Sequence, residues 1–297
     1  MDEKYRKDFM HAGALAHQVR AYGKSLIKTG ASYNEVTTRI NHKIIALGAR
    51  AAFPPQIALN EVAAHFLLQP DEDLKFTDQI VKLDVGVCYN GAIGDCAVTI
   101  DLSGKYQALI EAVESALKSA EESIHVGQPV KEIGKIIEDK ISSYGFSPVR
   151  NLAGHGLGYY KIHTPPLIPN YHDRSTAVIK RGMTFAIEPF ATDGKGSIYE
   201  TGEPTIFSFV RTRSIPLAIN RMLINKIKSF NGLPFAMHDL IENDLSLKEV
   251  RHSLAELQKT GAVVGYAPLV EETQGMVAQA ENSVLVDKLG KVFITTR

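Results

Sequence analysis

The chain has 297 residues, and its 33 lysine and arginine residues balance 33 aspartate and glutamate residues, so the formal net charge is zero. A protein that coats nucleic acid or an anionic membrane needs an excess of positive charge, so this balance argues against both functions. With 44% hydrophobic and 22% charged residues, the composition is that of a globular protein with a buried core, which excludes disorder, collagen, coiled coils and small disulfide scaffolds.

Targeting and redox signals are sparse in this sequence. No stretch approaches the ~18 apolar residues that a membrane span requires, and the N-terminal MDEKYRKDFMHAG mixes both charge signs, unlike a signal peptide. The two cysteines, Cys88 and Cys96, are too few for a disulfide framework, and we expect both to be small buried thiols. These features predict a cytoplasmic protein with no membrane partner.

Amphipathic helices dominate the first half of the predicted structure. Apolar residues at helical spacing predict two helices within residues 1–50, before Pro54 and Pro55 break the pattern. The same spacing predicts two further helices over residues 105–125 and 130–144.

A β-hairpin is predicted between these two pairs of helices. Residues 79–101 change to the period of strands, and Asn90-Gly91 between the two runs is the strongest short-range hairpin signal. With a two-residue turn and no bulge, Asp84 and Asp95 fall on the same face as diagonal neighbours, about 7–8 Å apart. The hairpin would thus bring two carboxylates into one site.

The second half of the chain reads as strands interrupted by a distinct segment. We predict a proline-rich loop over residues 164–173 and strands in MTFAIEP and GMVAQAENSVLVD. Between the strands, Ser246 and Glu249 form a capping-box pattern for a helix. Other apolar residues there recur at helical spacing, namely Leu217, Ile219, Met222, Leu223 and Ile227. We therefore predict a mainly helical insertion over residues 198–267, with residues 1–197 and 268–297 forming the main domain.

Four carboxylates occupy positions where a strand would present an apolar side chain: Asp84, Asp95, Glu188 and Glu281. Burying an ionised carboxylate without a partner is costly, so each requires a cation or a proton. No lysine or arginine lies close in sequence to the last three within their strand runs. A solvated edge position would explain one such residue alone, whereas a shared cation explains all four.

Three histidines add to this pattern. His155 lies in the glycine-rich GHGLG, where the backbone can leave room around an imidazole, and a neutral imidazole is a good ligand for Zn, Fe, Mn or Co. His163 follows eight residues later, and His65 follows a run of small residues. A structural histidine is the usual alternative for each. A phosphate-binding loop is a poor alternative, because the glycines lack G-x-G-x-x-G spacing.

Taken in chain order, these residues resemble the ligand and substrate-contacting residues of the methionine aminopeptidases. The similarity rests on LDVG…GD, GHGLG…IH, AIEPF and AQAEN, and the long segment between Glu188 and Glu281 is similar to the insertion of archaeal type II enzymes. The resemblance implies an α+β pita-bread fold, with two pseudo-symmetric halves around a curved antiparallel sheet and a winged-helix-like insertion.

The resemblance also implies a role for each site residue. Two divalent ions (Co²⁺, Mn²⁺, Fe²⁺ or Zn²⁺) would be held by Asp84, Asp95, His155, Glu188 and Glu281. Glu188 would shuttle protons, and His65 and His163 would be catalytic residues that contact the substrate. The pocket for the methionine side chain would be formed by Phe53, Ile162 and Phe190.

The implied activity is removal of the N-terminal methionine from nascent proteins, preferentially when the second residue is small. A hydroxide bridging the metal ions would attack the scissile carbonyl. The expected partners are nascent polypeptide N-termini at the ribosome, with no stable nucleic acid bound and the chain acting as a monomer.

Two departures and two alternatives accompany the resemblance. Ala280 and Asn282 stand where the family usually has Phe and His, and a lost outer-shell histidine can lower metal affinity or activity by ~10–100-fold. A prolidase or Xaa-Pro aminopeptidase would share the ligand set but usually has a larger N-terminal domain. A non-enzymatic RNA- or protein-binding relative could use the basic residues of the insertion, namely Arg221, Lys226, Lys228, Lys248, Arg251 and Lys259.

Overall fold

The computed structural model describes residues 1–210, 215–216, 219–241 and 245–297, so Leu217 lies outside the described residues. Its helices are α1 (Glu3–Leu26), α2 (Tyr33–Ala46), α3 (Gln107–Ser123), α4 (Val130–Ser143), α5 (Arg221–Ser229) and α6 (Leu247–Lys259), with a 3-10 turn over Met237–Asp239. Its strands are β1 (Arg50–Ala51), β2 (Gln56–Leu59), β3 (Val62–Ala64), β4 (Ile80–Tyr89), β5 (Ala92–Asp101), β6 (Ser147–Pro148), β7 (Ala153–Gly158), β8 (Lys161–Pro169), β9 (Thr184–Ile187), β10 (Phe190–Thr192), β11 (Ile198–Glu200), β12 (Ile206–Phe209), β13 (Phe235–Ala236), β14 (Val263–Tyr266), β15 (Leu269–Glu271), β16 (Val277–Gln279), β17 (Asn282–Val286) and β18 (Val292–Ile294). In the described ranges, no helix is long and apolar enough to cross a membrane.

The four predicted helices of the first half are confirmed. The side chains of Asp2 and Ser32 cap the N-termini of α1 and α2 by accepting backbone N–H groups of the first turn. The apolar stripes of these two helices pack on the sheet that contains β4, and those of α3 and α4 pack against β9, β16 and β17. One helix pair thus covers each of the two main sheet regions.

The predicted hairpin is also confirmed. Strands β4 and β5 pair in continuous register from Tyr89 opposite Ala92 to Ile80 opposite Asp101, with no bulge. Unbroken alternation places Asp84 and Asp95 on one face, as expected. Both cysteines are buried and free.

The second main sheet has the strand order β18-β17-β9-β7-β8. Strand β8 covers most of the segment predicted as a proline-rich loop, so that prediction was wrong. Prolines are tolerated there because β8 is an edge strand whose register with β7 shifts on either side of Gly156. The irregular pairing follows the glycine-rich segment around His155.

Strand β5 joins the two helix-covered sheet regions, called here the two halves, through a short antiparallel seam. In the middle of the seam, the backbones of Ala97 and Glu281 exchange two hydrogen bonds of 3.3 Å. On either side, a hydroxyl both donates to and accepts from a facing backbone, in the pairs Asp95 with Ser283 and Thr99 with Gln279. The seam therefore fixes Asp95 of one half beside Glu281 of the other.

The segment between β11 and β15 has a hydrophobic core of its own. Helices α5 and α6 pack on the three-stranded sheet β13-β12-β14, so the expectation of a mainly helical segment omitted a sheet. The capping box of Ser246 and Glu249 at the start of α6 is confirmed. Strand β11 pairs with β15 outside this sheet, so the separate core begins after residue 200.

Candidate metal centre

A cavity of about 180 Å³ opens where the two halves meet. All ten residues singled out in the sequence line it: Phe53, His65, Asp84, Asp95, His155, Ile162, His163, Glu188, Phe190 and Glu281. They come from elements as distant in sequence as β4 and the start of β17. The fold therefore brings the whole predicted set to one place.

The four carboxylates in this cavity are mostly or fully buried, and in the described part of the chain three of their oxygens have no protein hydrogen-bond donor. Asp95 and Glu281 are 2% and 1% exposed, and Asp84 and Glu188 are slightly more open. Within the described part of the chain, Asp84 Oδ1, Asp95 Oδ1 and Glu281 Oε2 are buried and accept no hydrogen bond. Buried polar atoms are nearly always paired, so these oxygens require a partner of another kind.

Burial, reinforced by mutual repulsion, raises the pKa values of these groups. Burial raises the pKa of Asp84 to about 7. Burial, followed by the negative charges of the neighbouring carboxylates, raises the pKa values of Asp95, Glu188 and Glu281 well above the ordinary range. Without a cation, the cluster would hold protons at neutral pH.

The orientation of His155 indicates that the missing partner of the carboxylate oxygens is a cation. Its Nδ1–H donates to the backbone carbonyl of Ile162 at 3.0 Å, so the Nε2 lone pair points into the cavity. Burial lowers the pKa of His155 to about 3, which keeps the ring neutral. Nε2 nevertheless lies 3.5 Å from Glu188 Oε1 and 3.9 Å from Asp95 Oδ2. Lone pairs facing carboxylate oxygens at these distances repel unless a cation lies between them.

The donor set fits a divalent metal ion. One ligand atom each from Asp95, His155 and Glu281 lie within 4.8 Å of one another, all on buried residues. Glu188 Oε1 lies 3.5 Å from His155 Nε2, and Asp84 lines the same cavity. Mixed carboxylate and imidazole ligands suit Mn, Fe, Co and Zn.

Two histidines flank the carboxylates. The ring of His163 makes an edge contact with that of His155, at a centroid distance of 4.5 Å, and remains exposed at the cavity mouth. His65 is half-buried, and burial lowers its pKa to about 4, so it is neutral at physiological pH. Among the described residues, its Nδ1 has no hydrogen-bond partner. Both rings are thus available to a molecule in the cavity.

The remaining walls are apolar. Phe53, Ile162 and Phe190 are buried and line the cavity. Sequence reasoning missed further wall residues, of which Ile206, Pro234 and Tyr266 come from the segment between β11 and β15, and Gln56, Leu152 and Leu269 from the rest of the chain. Of these residues, only Gln56 could have been recognised from the sequence, because it is a polar residue in an otherwise apolar strand.

Behind the cluster, Asn282 takes part in a polar network. Its Oδ1 accepts from Arg20 at 2.9 Å and from Thr296 at 2.8 Å, and its Nδ2 donates to Glu121 at 2.6 Å. Arg20 also donates to the backbone carbonyl of Glu281 at 2.8 Å. Both polar side-chain atoms of the asparagine that replaces the expected histidine are therefore hydrogen-bonded, directly beside Glu281.

Comparison with known proteins agrees with this geometry. The model of metallopeptidase family M24 matches residues 7–287. The methionine aminopeptidases of Thermococcus onnurineus and Methanocaldococcus jannaschii are each 38% identical to the chain, and the alignments cover 99–100% of this chain and of each relative. The crystal structure of methionine aminopeptidase from Thermotoga maritima superposes with a TM-score of 0.73 at 20% identity, covering 100% of this chain and 98% of that one. The structural similarity shows the α+β pita-bread fold of these peptidases.

Proposed function

The chain belongs to metallopeptidase family M24, and on that premise we propose that it is a metal-dependent aminopeptidase that removes the N-terminal methionine from proteins. The observation that carries the proposal is the cavity in which the lone pair of His155 faces two buried carboxylates. The full-length similarity to methionine aminopeptidases supports the same activity.

We assign the metal ligands to Asp84, Asp95, His155, Glu188 and Glu281, which together offer enough donors for two divalent ions. Bound Co²⁺, Mn²⁺, Fe²⁺ or Zn²⁺ would act as a Lewis acid, making water a nucleophile near neutral pH and polarising the scissile carbonyl. The second-sphere contact from His155 Nδ1 to the Ile162 carbonyl fixes the ring that presents Nε2.

Three cavity residues would each act in a different part of the reaction. Glu188, the most open of the carboxylates near His155, would accept the proton of the attacking water and return it to the leaving amine. His163, at the mouth, would donate a hydrogen bond to the oxyanion that develops on the carbonyl. His65, neutral and lacking a partner at Nδ1, would hydrogen-bond the scissile amide.

Phe53, Ile162 and Phe190 would hold the methionine side chain, because aromatic and aliphatic walls suit a thioether. The insertion would close the opposite side of the pocket through Ile206, Pro234 and Tyr266. The substrates would be nascent polypeptide N-termini with a small second residue, met at the ribosome in the cytoplasm by a monomeric enzyme. The free thiols of Cys88 and Cys96 are compatible with that reducing compartment.

The finer architecture is part of the same proposal. The two helix-covered sheet regions would be pseudo-symmetric halves of one curved antiparallel sheet, with the metal ions between them. The segment from β12 to β14, two helices on a three-stranded sheet, would be a winged-helix-like subdomain inserted into the catalytic domain.

The test is release of the N-terminal residue from Met-Ala-Ser and Leu-Ala-Ser peptides. Protein freed of metal would be assayed before and after addition of Mn²⁺, Fe²⁺ or Co²⁺. The proposal predicts metal-dependent release of methionine alone, abolished in Glu188→Gln and retained in Glu200→Gln, an exposed glutamate of β11.

Other outcomes would select the alternatives. Cleavage of Xaa-Pro peptides in place of Met-Ala-Ser would move the assignment to a prolidase. Absence of turnover with every metal would favour a non-enzymatic binding protein. In that case, salt-dependent RNA binding weakened by neutralising Lys228 and Lys248 would identify the insertion as the binding surface.

A further inference from the structure

Gln56 is an unexpected residue in the wall of the cavity. It begins strand β2, whose other members are apolar, and its side chain is almost completely buried. It pairs with Asp84 across β2 and β4 and lines the same cavity as His65. A buried amide in such a strand must have its polar atoms engaged.

The partner of Gln56 is the backbone of His65. The His65 N–H donates to Gln56 Oε1 at 2.7 Å. Because the backbone group can only donate, the atom that faces it must be the amide oxygen, which fixes the orientation of the side chain. Gln56 therefore anchors His65 from a neighbouring strand, nine residues earlier in the chain.

This anchor holds His65 in a strained backbone conformation. His65 has a φ of 57°, in the left-handed region that residues with a Cβ adopt reluctantly. Such conformations persist where the surroundings over-determine them, and they concentrate at functional sites. The other restraints come from the insertion: Thr205 donates to the His65 carbonyl at 3.4 Å, and the Tyr266 ring makes an edge contact at 5.6 Å.

The imidazole itself has few restraints of its own. Its Nδ1 is buried and has no hydrogen-bond partner in the described ranges, so the backbone and Tyr266 decide where the ring points. We propose that Gln56 is a positioning residue, which directs the imidazole of His65 toward the scissile bond by holding its backbone N–H. This inference rests on the proposed peptidase activity.

A double-mutant cycle tests the inference. Gln56→Leu removes the acceptor at similar volume, and we expect it to lower kcat/KM for Met-Ala-Ser by about tenfold, mainly through kcat, as for loss of one buried hydrogen bond. In a His65→Ala background, the same substitution should change kcat/KM by less than about twofold, because a residue that acts only through His65 has nothing left to position.

Gln128 provides a matched control. It is also buried (2% exposed, against 8% for Gln56), and its Oε1 accepts the backbone N–H of another histidine, His125, at 3.2 Å, but it does not line the cavity. Gln128→Leu should leave kcat/KM within about twofold of the wild type while losing a comparable hydrogen bond. A general loss of stability is thereby separated from loss of positioning.

A spectroscopic readout does not depend on activity. In metal-free protein at one fixed pH, the imidazole Cε1–H resonance of His65 is assigned by its absence in His65→Ala. In Gln56→Leu this resonance should shift from its wild-type position as the ring loses its fixed environment. An unchanged His65 resonance, or an equal effect of Gln56→Leu with and without His65, would overturn the inference. If the peptide is not cleaved at all, this resonance still decides the role of Gln56.

Discussion

Glu271 and Glu281 are both buried, but the protein surrounds their carboxylates differently. Glu271, at the end of β15, is fully buried, and its two oxygens accept from the backbone N–H groups of Lys195, Gly196, Thr273 and Gly275 and from the Thr273 hydroxyl, at 2.7–3.1 Å. Burial opposes ionisation of Glu271, but these hydrogen bonds outweigh it and lower its pKa. Glu281 is as deeply buried, its Oε2 has no partner among the described residues, and its pKa is raised.

The contrast separates a structural carboxylate from a ligand. Glu271 carries its charge because the protein supplies every donor, and in doing so it ties the turn after β10 to the turn before β16. Glu281 is left open toward the cavity, so its charge must be neutralised by something that the chain does not contain. Substituting each by glutamine, which keeps the shape and removes the charge, should give opposite results.

The largest expected effect is on catalysis. Glu281→Gln should lower methionine release by at least about 10³-fold, because loss of a ligand removes several kcal/mol of transition-state stabilisation. Glu271→Gln, assayed at the same metal concentration, should stay within about threefold of the wild type. Equal losses in the two variants would show that Glu281 acts on folding and not on the metal site.

Glu271→Gln should be the less stable of the two variants, although it is expected to be the more active one. In metal-free protein, Glu271→Gln should lower the free energy of unfolding by about 3 kcal/mol, since an amide cannot accept as many charge-assisted hydrogen bonds. Glu281→Gln should leave it unchanged or raise it, because one charge leaves a repelling cluster. Urea unfolding of both variants would measure this difference, and destabilisation by Glu281→Gln would contradict it.

The network behind Glu281 should have an intermediate effect. Arg20→Met removes the donor to the Glu281 carbonyl and to Asn282, so we expect a roughly 10–100-fold loss of metal affinity. Arg6→Met, on the same helix but in an exposed pair with Glu3, should leave metal affinity unchanged. Competition with a fluorescent metal chelator would compare the two, and equal affinities would exclude a role for the network in holding the ligand.

The smallest effect concerns pH. The pKa of Glu271 is lowered in the folded protein, so its contribution to stability is present above its unfolded value of about 4.5 and is lost as pH falls through its folded value. The difference in free energy of unfolding between the wild type and Glu271→Gln should therefore narrow as the pH falls from 6 to 3. Chemical unfolding across this range, with Glu200→Gln as an exposed control, would measure it; a gap that widens toward low pH would contradict the assigned shift.

Local signals explain what could be predicted from sequence. The Asn90-Gly91 turn and unbroken alternation gave the register of β4 and β5, and hence the shared face of Asp84 and Asp95, because both depend only on neighbouring residues. Carboxylates within apolar segments marked the site itself, because burying an unpaired charge is costly, although Glu188 and Glu281 lie between strands and not within them.

Long-range contacts explain what could not be predicted. Strand β8 looked like a loop because its prolines are acceptable only at a sheet edge, which the sequence does not reveal. Tyr266 lines the cavity although it lies more than 70 residues from every predicted site residue before Glu281. Arg20 donates to Asn282, which is 262 residues later in the chain. The difference between Glu271 and Glu281 is likewise not evident in the sequence, because two of the donors to Glu271, the N–H groups of Lys195 and Gly196, lie in a loop that is distant in the chain.

Metal stoichiometry tests the central claim most directly. Equilibrium dialysis of metal-free protein against Mn²⁺, with elemental analysis of the bound metal, should give two ions per chain for the wild type and for Glu271→Gln, and fewer for Glu281→Gln. Equal binding by the wild type and Glu281→Gln, or no binding by the wild type, would contradict the assignment of the unpartnered carboxylates as the metal centre.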